Sequence, residues 1–145
     1  MQNTWDDNLS TGNPVIDGQH KELFRRLNLL LIACRQGDGP QAIAQAIHFL
    51  ETHMVEHFGH EEKLMADAGF PDRTIHEQEH REFFGHFMRV RKMFQTQGSD
   101  YSLVVDTIKT VVGWAANHIM VKDKALCRFL REQAKSAKKT AVDIP

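Results

Sequence analysis

Residues 76 to 80 read HEQEH, two histidines one helical turn apart with a glutamate between them. On a helix that spacing turns both imidazoles toward one metal ion, and in metalloproteases the intervening glutamate activates water. His86 also falls where the metzincin pattern H-E-x-x-H-x-x-G-x-x-H puts its third ligand. The glycine that would turn the chain back is absent, because Phe83 stands there in REFFGHFMRV, a run that reads as continuing helix. Six residues along an unbroken helix carry His86 roughly 120° away from His80. His86 is therefore expected off the metal, and the remaining ligands must come from elsewhere in the chain.

The elements that could supply them follow from periodicity. TGNP (11–14), GDGP (37–40), AGFPD (68–72) and QGSD (97–100) punctuate the chain and leave four long segments. The first, with Asp17 as expected N-cap, carries His20, Leu23, Phe24, Leu27, Leu30, Leu31 and Cys34 at helical spacing and ends near Gln36. The second opens on Pro40 and runs through Ile43, Ile47, Leu50, Met54, His57, Glu61 and Leu64. A third, from about Asp72, shows His76, His80, Phe83, Phe87, Val90 and Phe94 in steps of four and three, the seam of a bundled helix. The fourth, from about Asp100 to Arg131, shows Val104, Ile108, Val111, Ala115, His118, Leu126 and Leu130. No strand pattern competes. Short connections make neighbours antiparallel, so the expected fold is all-α, an up-down-up-down four-helix bundle preceded by an N-terminal arm that carries Trp5.

Topology then sorts the polar residues. At one end of such a bundle lie the start of the first helix, the end of the second, the start of the third and the end of the fourth. His20, His57, Glu61, His76, His80, His118 and Asp123 all fall at that end. Seven buried polar groups at one level, left unpaired, would cost several kcal/mol in total, on the order of the penalty for burying polar groups without partners. Metal binding removes the penalty. Five imidazoles and two carboxylates are too many for one ion and suit two. If both carboxylates bridge, and an oxo or hydroxo group bridges with them, the histidines divide three and two. One ion is then saturated and the other keeps an empty position, where a small molecule such as dioxygen can bind. Neutral imidazoles outnumber carboxylates, which favours reversible binding over oxygenation. Glu77, beside a metal filled from other helices, has no open water to activate, so the protease reading fails.

The motifs IDGQHKELF with His20, HFGHEEKLM with His57 and Glu61, HEQEH with His76 and His80, and WAANHIMVKD with His118 and Asp123 resemble those of the hemerythrin family, specifically its single-domain bacteriohemerythrins, from residue 5 to about 130. That resemblance implies two iron ions with a bridging oxo or hydroxo group. His76, His80 and His118 would hold the saturated iron, His20 and His57 the open one, and Glu61 and Asp123 would bridge. It implies reversible dioxygen binding by a carrier, store or delivery protein rather than an enzyme. Alternatives are an oxygen or redox sensor signalling to a partner, and an enzyme acting on peroxide or nitric oxide. Phe24, Phe58, Trp114 and Ala115 are the expected oxygen pocket. Trp114 fits the family pattern, but Ala115 stands where a leucine commonly walls the pocket, so a roomier, wetter pocket and faster autoxidation are expected unless Phe24, Phe58 or a shifted neighbour fills the gap. His118 and Asp123 stand about 140° apart on an ideal helix, and a π-bulge between them is expected to bring them together.

Composition bounds the rest. A chain of 145 residues with 41% apolar residues suits one domain, expected over 1–132, with a flexible tail over 133–145. Eighteen basic against 19 acidic residues give no electrostatic reason to expect nucleic acid or an anionic membrane surface. No apolar run approaches the roughly 20 residues of a membrane span, and MQNTWDDNLS is not a basic, apolar export signal. A cytoplasmic monomer with dioxygen as ligand, and a protein acceptor of that oxygen as a further partner, is the expectation. Cys34 and Cys127 lie on apolar stripes and read as core. His48, His53, His60 and His86 lie off the ligand stripe and read as rim or surface residues.

Overall fold

The computed structural model describes residues 5–96 and 101–142. Its helices are α1 (Pro14–Gln36), α2 (Pro40–Ala68), α3 (Arg73–Thr96), α4 (Ser102–His118) and α5 (Lys124–Val142). A five-residue π-helical turn, Ile119–Asp123, joins α4 to α5 without leaving the helical conformation, so these three form one long fourth rod. A short 3-10 turn, Asp7–Leu9, precedes them, and no strand occurs among the described residues. α1 packs against α2 and α4, and α3 against α2 and α4, so the bundle is square in section with α2 diagonal to α4. The expected all-α four-helix bundle is what the chain forms. Among the described residues, no helix is long and apolar enough to cross a membrane.

Local chemistry fixes where each helix stops. The Asn13 side chain accepts from the backbone N–H of Val15 and Ile16 at 3.0 and 3.1 Å, and Pro14 occupies the first turn. Asn13, not Asp17, is thus the cap of α1. Asp17 lies one turn inside and ties down the arm instead, accepting from Ser10 Oγ, Thr11 Oγ1 and the Thr11 backbone at 2.7 to 2.8 Å. Gly37 and Gly69 end α1 and α2 in the left-handed region, at φ 68° and 64°. Around each, paired backbone bonds close the last turn, Asp38 N–H to Ala33 and Phe70 N–H to Met65 among them, both at 3.0 Å.

The interior is divided along the bundle axis. At the far end Leu27, Leu30, Ile43, Leu50, Phe87, Val90, Val104 and Ile108 form a continuous apolar core. Met65, Phe70 and Leu126, backed by Phe129 and Leu130, form a second small cluster at the other end. The polar residues lie between the two. Leu64 and Leu130, expected on the core stripes, are half-buried, and Met65 takes the core position in α2.

The fourth rod runs past its expected end near Arg131. It continues as helix through Val142, although residues 132–139 are solvent-exposed. Ala, Lys, Gln and Glu dominate REQAKSAKK and are strong helix formers, so a helix persists where no apolar stripe called for one. The expected helix start at Asp100, the QGSD stretch and residues 143–145 lie outside the described residues.

Two alanine substitutions separate backbone strain from helix propensity. Neither Gly69 nor Gly85 has an atom within 4 Å of where a Cβ would stand. Gly69→Ala is expected to lower the unfolding free energy by about 1 kcal/mol, because only glycine holds a left-handed φ without strain. Gly85→Ala, inside α3, should raise it by about 0.5 to 1 kcal/mol. Denaturant unfolding of both variants checks the opposite signs.

Candidate metal centre

Between the two apolar clusters the four helices deliver seven polar side chains, none more than 4% exposed. α1 brings His20, α2 brings His57 and Glu61, α3 brings His76 and His80, α4 ends on His118, and the π turn ends on Asp123. All seven residues singled out in the sequence are therefore brought together. The π turn does what was expected of it: the Lys124 N–H reaches back five residues to Ile119, the widened turn closes the angle, and His118 Nε2 lies 3.1 Å from Asp123 Oδ1.

Each carboxylate faces two ways. Glu61 turns Oε1 to His76 Nε2 (3.5 Å) and His80 Nε2 (3.1 Å), and Oε2 to His57 Nε2 (3.5 Å) and His20 Nε2 (3.9 Å). Asp123 turns Oδ1 to His76 Nε2 (3.0 Å) and His118 Nε2 (3.1 Å), and Oδ2 to His20 Nε2 (2.9 Å). Ligand atoms thus fall into two groups able to hold a metal ion: Glu61, His76, His80, His118 and Asp123 in one, and His20, His57, Glu61 and Asp123 in the other. Both carboxylates belong to both groups.

Despite the short distances, His20 Nε2, His76 Nε2, His118 Nε2, Glu61 Oε2 and Asp123 Oδ1 have no aligned hydrogen-bond partner. Buried polar atoms are seldom left so. Imidazole nitrogens and carboxylate oxygens converging on common points, most of them without an aligned partner, are what a metal ion satisfies, so the residues fit metal.

The outer sides of the imidazoles are held separately. His80 Nδ1 meets Glu62 Oε1 at 3.1 Å, His118 Nδ1 meets Glu79 Oε2 at 2.7 Å, and His57 Nδ1 meets Gln19 Oε1 at 2.7 Å. Sequence reasoning missed all three partners. The available signal was adjacency: Gln19 precedes His20, Glu62 follows Glu61, and Glu79 precedes His80. Glu77, the glutamate of the protease pattern, faces away and pairs with Arg73 at 2.6 Å. Aromatic rings steady the imidazoles: Phe58 stacks on His80 at 4.1 Å, Trp114 on His118 at 5.0 Å, and Trp5 of the arm on His20 at 6.5 Å.

A cavity of ≈ 10 Å³ adjoins the centre, lined by Leu23, Phe58, Phe83, Trp114, Ala115 and Ile119 together with His20, His57, His118 and Asp123. That is about the least space that holds one water. The roomy pocket expected from Ala115 is absent, because Leu23, Phe83 and Ile119 close in. Phe24, expected on the wall, does not line the cavity and packs edge-on against Trp5 at 6.4 Å. His53 and His60 sit on the rim, bound to the Gln19 carbonyl (2.8 Å) and side chain (3.2 Å), while His48 is exposed and His86 lies in a groove beside Arg89 and Met93.

Without metal the two carboxylates stay ionised. Burial and Asp123 push Glu61 up, but His57, His76 and His80 outweigh them and hold it at about 2. Burial also opposes ionisation of Asp123, yet His118, His20 and His76 hold it well below the usual range. Burial lowers His57 to about 4. Burial lowers His76 as well, but the oxygens of Asp123 and Glu61 dominate and raise it to about 9.

A bundle whose core presents converging histidines and carboxylates defines a metal-binding four-helix protein. Residues 11–130 match the family model described as the hemerythrin HHE cation binding domain, and the chain belongs to the hemerythrin family. It is 39% identical over 120 residues to a bacteriohemerythrin of Pseudomonas paraeruginosa, covering 82% of this chain and 75% of that protein. A hemerythrin-like protein of Naegleria gruberi is 29% identical over 119 residues, 82% and 86% of the two chains. The crystal structure of a wild-type hemerythrin superposes with a TM-score of 0.77 at 29% identity, covering 88% of this chain and 96% of that one. A variant of hemerythrin with one leucine replaced by alanine superposes equally well at 30% identity, covering 88% and 95%.

Metal must displace a proton from this centre. His76, raised to about 9, is protonated at pH 7 in the metal-free protein, and its contribution to stability is present below the ordinary value near 6.5 and lost as pH rises through about 9. Ligation needs the neutral ring. Adding a divalent metal to the metal-free protein at pH 7 is expected to release protons and raise the thermal midpoint. An indicator dye in weak buffer reads the release, and an unchanged signal would show that His76 was already neutral.

Proposed function

We propose that the protein binds dioxygen reversibly at a non-haem di-iron centre, as a carrier, store or delivery protein. The observation that carries this reading is the division of the site: both carboxylates face two histidine groups, three imidazoles in one and two in the other. His76, His80 and His118 would hold one iron, His20 and His57 the other, and Glu61 and Asp123 would bridge. The group with fewer imidazoles leaves room in a coordination shell, and both its histidines line the cavity. When bound, the iron pair supplies the electrons and the open position that dioxygen requires.

The chain's own residues favour binding over turnover. Apolar side chains supply most of the cavity wall, which admits a small neutral gas and disfavours hydrated ions. Every titratable group on that wall, His20, His57, His118 and Asp123, belongs to the ligand set. None is left over as a general acid to drive oxygen onward. Phe58 and Trp114, stacked on His80 and His118, keep those rings from swinging toward the cavity.

Anaerobic reduction of the iron-loaded protein, followed by oxygen and then its removal, tests the reading. A visible charge-transfer band that appears with oxygen and vanishes without it is expected. Irreversible passage to the oxidised spectrum would instead favour a redox sensor or an enzyme. Ala115→Leu should fill the cavity and slow azide entry into the oxidised centre by about tenfold or more, with metal content unchanged. Unaltered azide kinetics would place the entry route elsewhere.

A further inference from the structure

The outer partners of the imidazoles are not alike. On the side of His76, His80 and His118, two rings point Nδ1 at carboxylates, Glu62 and Glu79. On the side of His20 and His57, the one outer partner is the neutral amide of Gln19, while His20 Nδ1, like His76 Nδ1 on the other side, is buried with no hydrogen-bond partner. A carboxylate opposite a ring N–H pushes electron density onto the far nitrogen and makes it a stronger metal ligand, whereas an amide oxygen does so weakly. The two metal positions therefore differ in their outer partners, two carboxylates against one amide, with Lys122 Nζ 3.9 Å from one of those carboxylates, Glu79.

Gln19 also fixes the tautomer of His57. Its Oε1 faces both His57 Nδ1 (2.7 Å) and His60 Nδ1 (3.2 Å), and an oxygen can only accept. Both nitrogens must then carry hydrogen, which leaves His57 Nε2 with a lone pair directed at the Glu61 side of the cluster. The Gln19 backbone carbonyl takes His53 Nε2 at 2.8 Å, so three histidines of α2 are anchored on one residue of α1.

We propose that Gln19 is a positioning residue that keeps the metal position at His20 and His57 the weaker and more Lewis-acidic of the two, by orienting His57 through a neutral amide where Glu62 and Glu79 orient their imidazoles through carboxylates. The inference rests on the two-metal reading above. A glutamate at this position would orient His57 equally well but would add a third negative charge beside Glu61 and Asp123 and blunt the open position's attraction for a further ligand. The neutral side chain matches a position that must bind and release.

The test is an anaerobic titration of the metal-free protein with cobalt(II), followed by calorimetry and cobalt absorption, with helical circular dichroism confirming that each variant is folded. The native protein should take up two equivalents in two steps. Gln19→Glu should tighten the weaker step by about tenfold and leave the tighter one unchanged, and Gln19→Leu should weaken that same step by about 10- to 100-fold. Glu79→Gln should weaken only the tighter step. In the iron-loaded protein Gln19→Glu should lower the reduction potential, which a residue serving packing alone would not do. Gln19 variants that move neither step, or both steps equally, would overturn the proposal. Failure of the native protein to bind two equivalents would overturn the two-metal reading and this inference with it.

Discussion

Two carboxylates buried in a dry core are the constraint on which the rest of this structure depends. Glu61 and Asp123 are at most 1% exposed, and their environment keeps both ionised. An uncompensated buried charge is among the most destabilising features a protein can carry, so every helix is recruited against it. The carboxylates come from α2 and from the end of the fourth rod, which are diagonal partners in the bundle. α1 and α3, the other diagonal, contribute only histidines. Carboxylates reach the centre along one diagonal only, each with a histidine from its own rod, and each can therefore show one oxygen to each side.

The fourth rod could not meet that demand as a regular α-helix. His118 and Asp123 would stand about 140° apart, and one of them would leave the core. A π-helical turn restores the alignment by lodging one extra residue in the helix, at some loss of hydrogen-bond geometry. The loss is local, and α5 resumes with Leu126 and Cys127 back in the interior. Both the site and the small apolar cluster beyond it depend on that single turn.

Much of this was legible in the sequence because it rests on periodicity. Four amphipathic stripes located four helices, and topology alone put seven polar residues at one level. Even the π turn followed, since the His118 to Asp123 spacing fits no regular helix. What escaped depends on distance rather than period. Asn13 caps α1 because of where the arm turns, which no local pattern separates from Asp17. The partners Gln19, Glu62 and Glu79 sit next to site residues in sequence, but their alignment with particular ring nitrogens depends on how neighbouring helices are rotated. The size of the cavity depends on packing in the same way. Ala115 pointed to a roomier pocket unless a neighbour filled it, and the space there is set by Leu23, Phe58, Phe83 and Ile119, which come from all four rods of the bundle. Helix propensity, rather than apolar pattern, carries α5 through the exposed segment.

The division of the interior also bears on how the protein can exist without metal. Orphaned buried polar atoms each cost about 1 to 3 kcal/mol, so the seven at this site, with the Nδ1 atoms of His20 and His76 among them, rival the roughly 5 to 15 kcal/mol by which a domain is stable. A bundle whose only core was the metal site would be expected to unfold without metal, as small zinc domains do. Here the far half is an apolar core with no part in the site, from Leu27 and Leu30 across to Val104 and Ile108. That core can hold the helices in register while the site half is without metal. The ligands are then presented nearly in place, and the entropy of assembling them is met by folding instead of by binding. A centre built this way does not need the tightest possible ligands. On the proposed two-metal reading, one position could then be left electron-poor and incompletely coordinated, as a small exchangeable ligand would require.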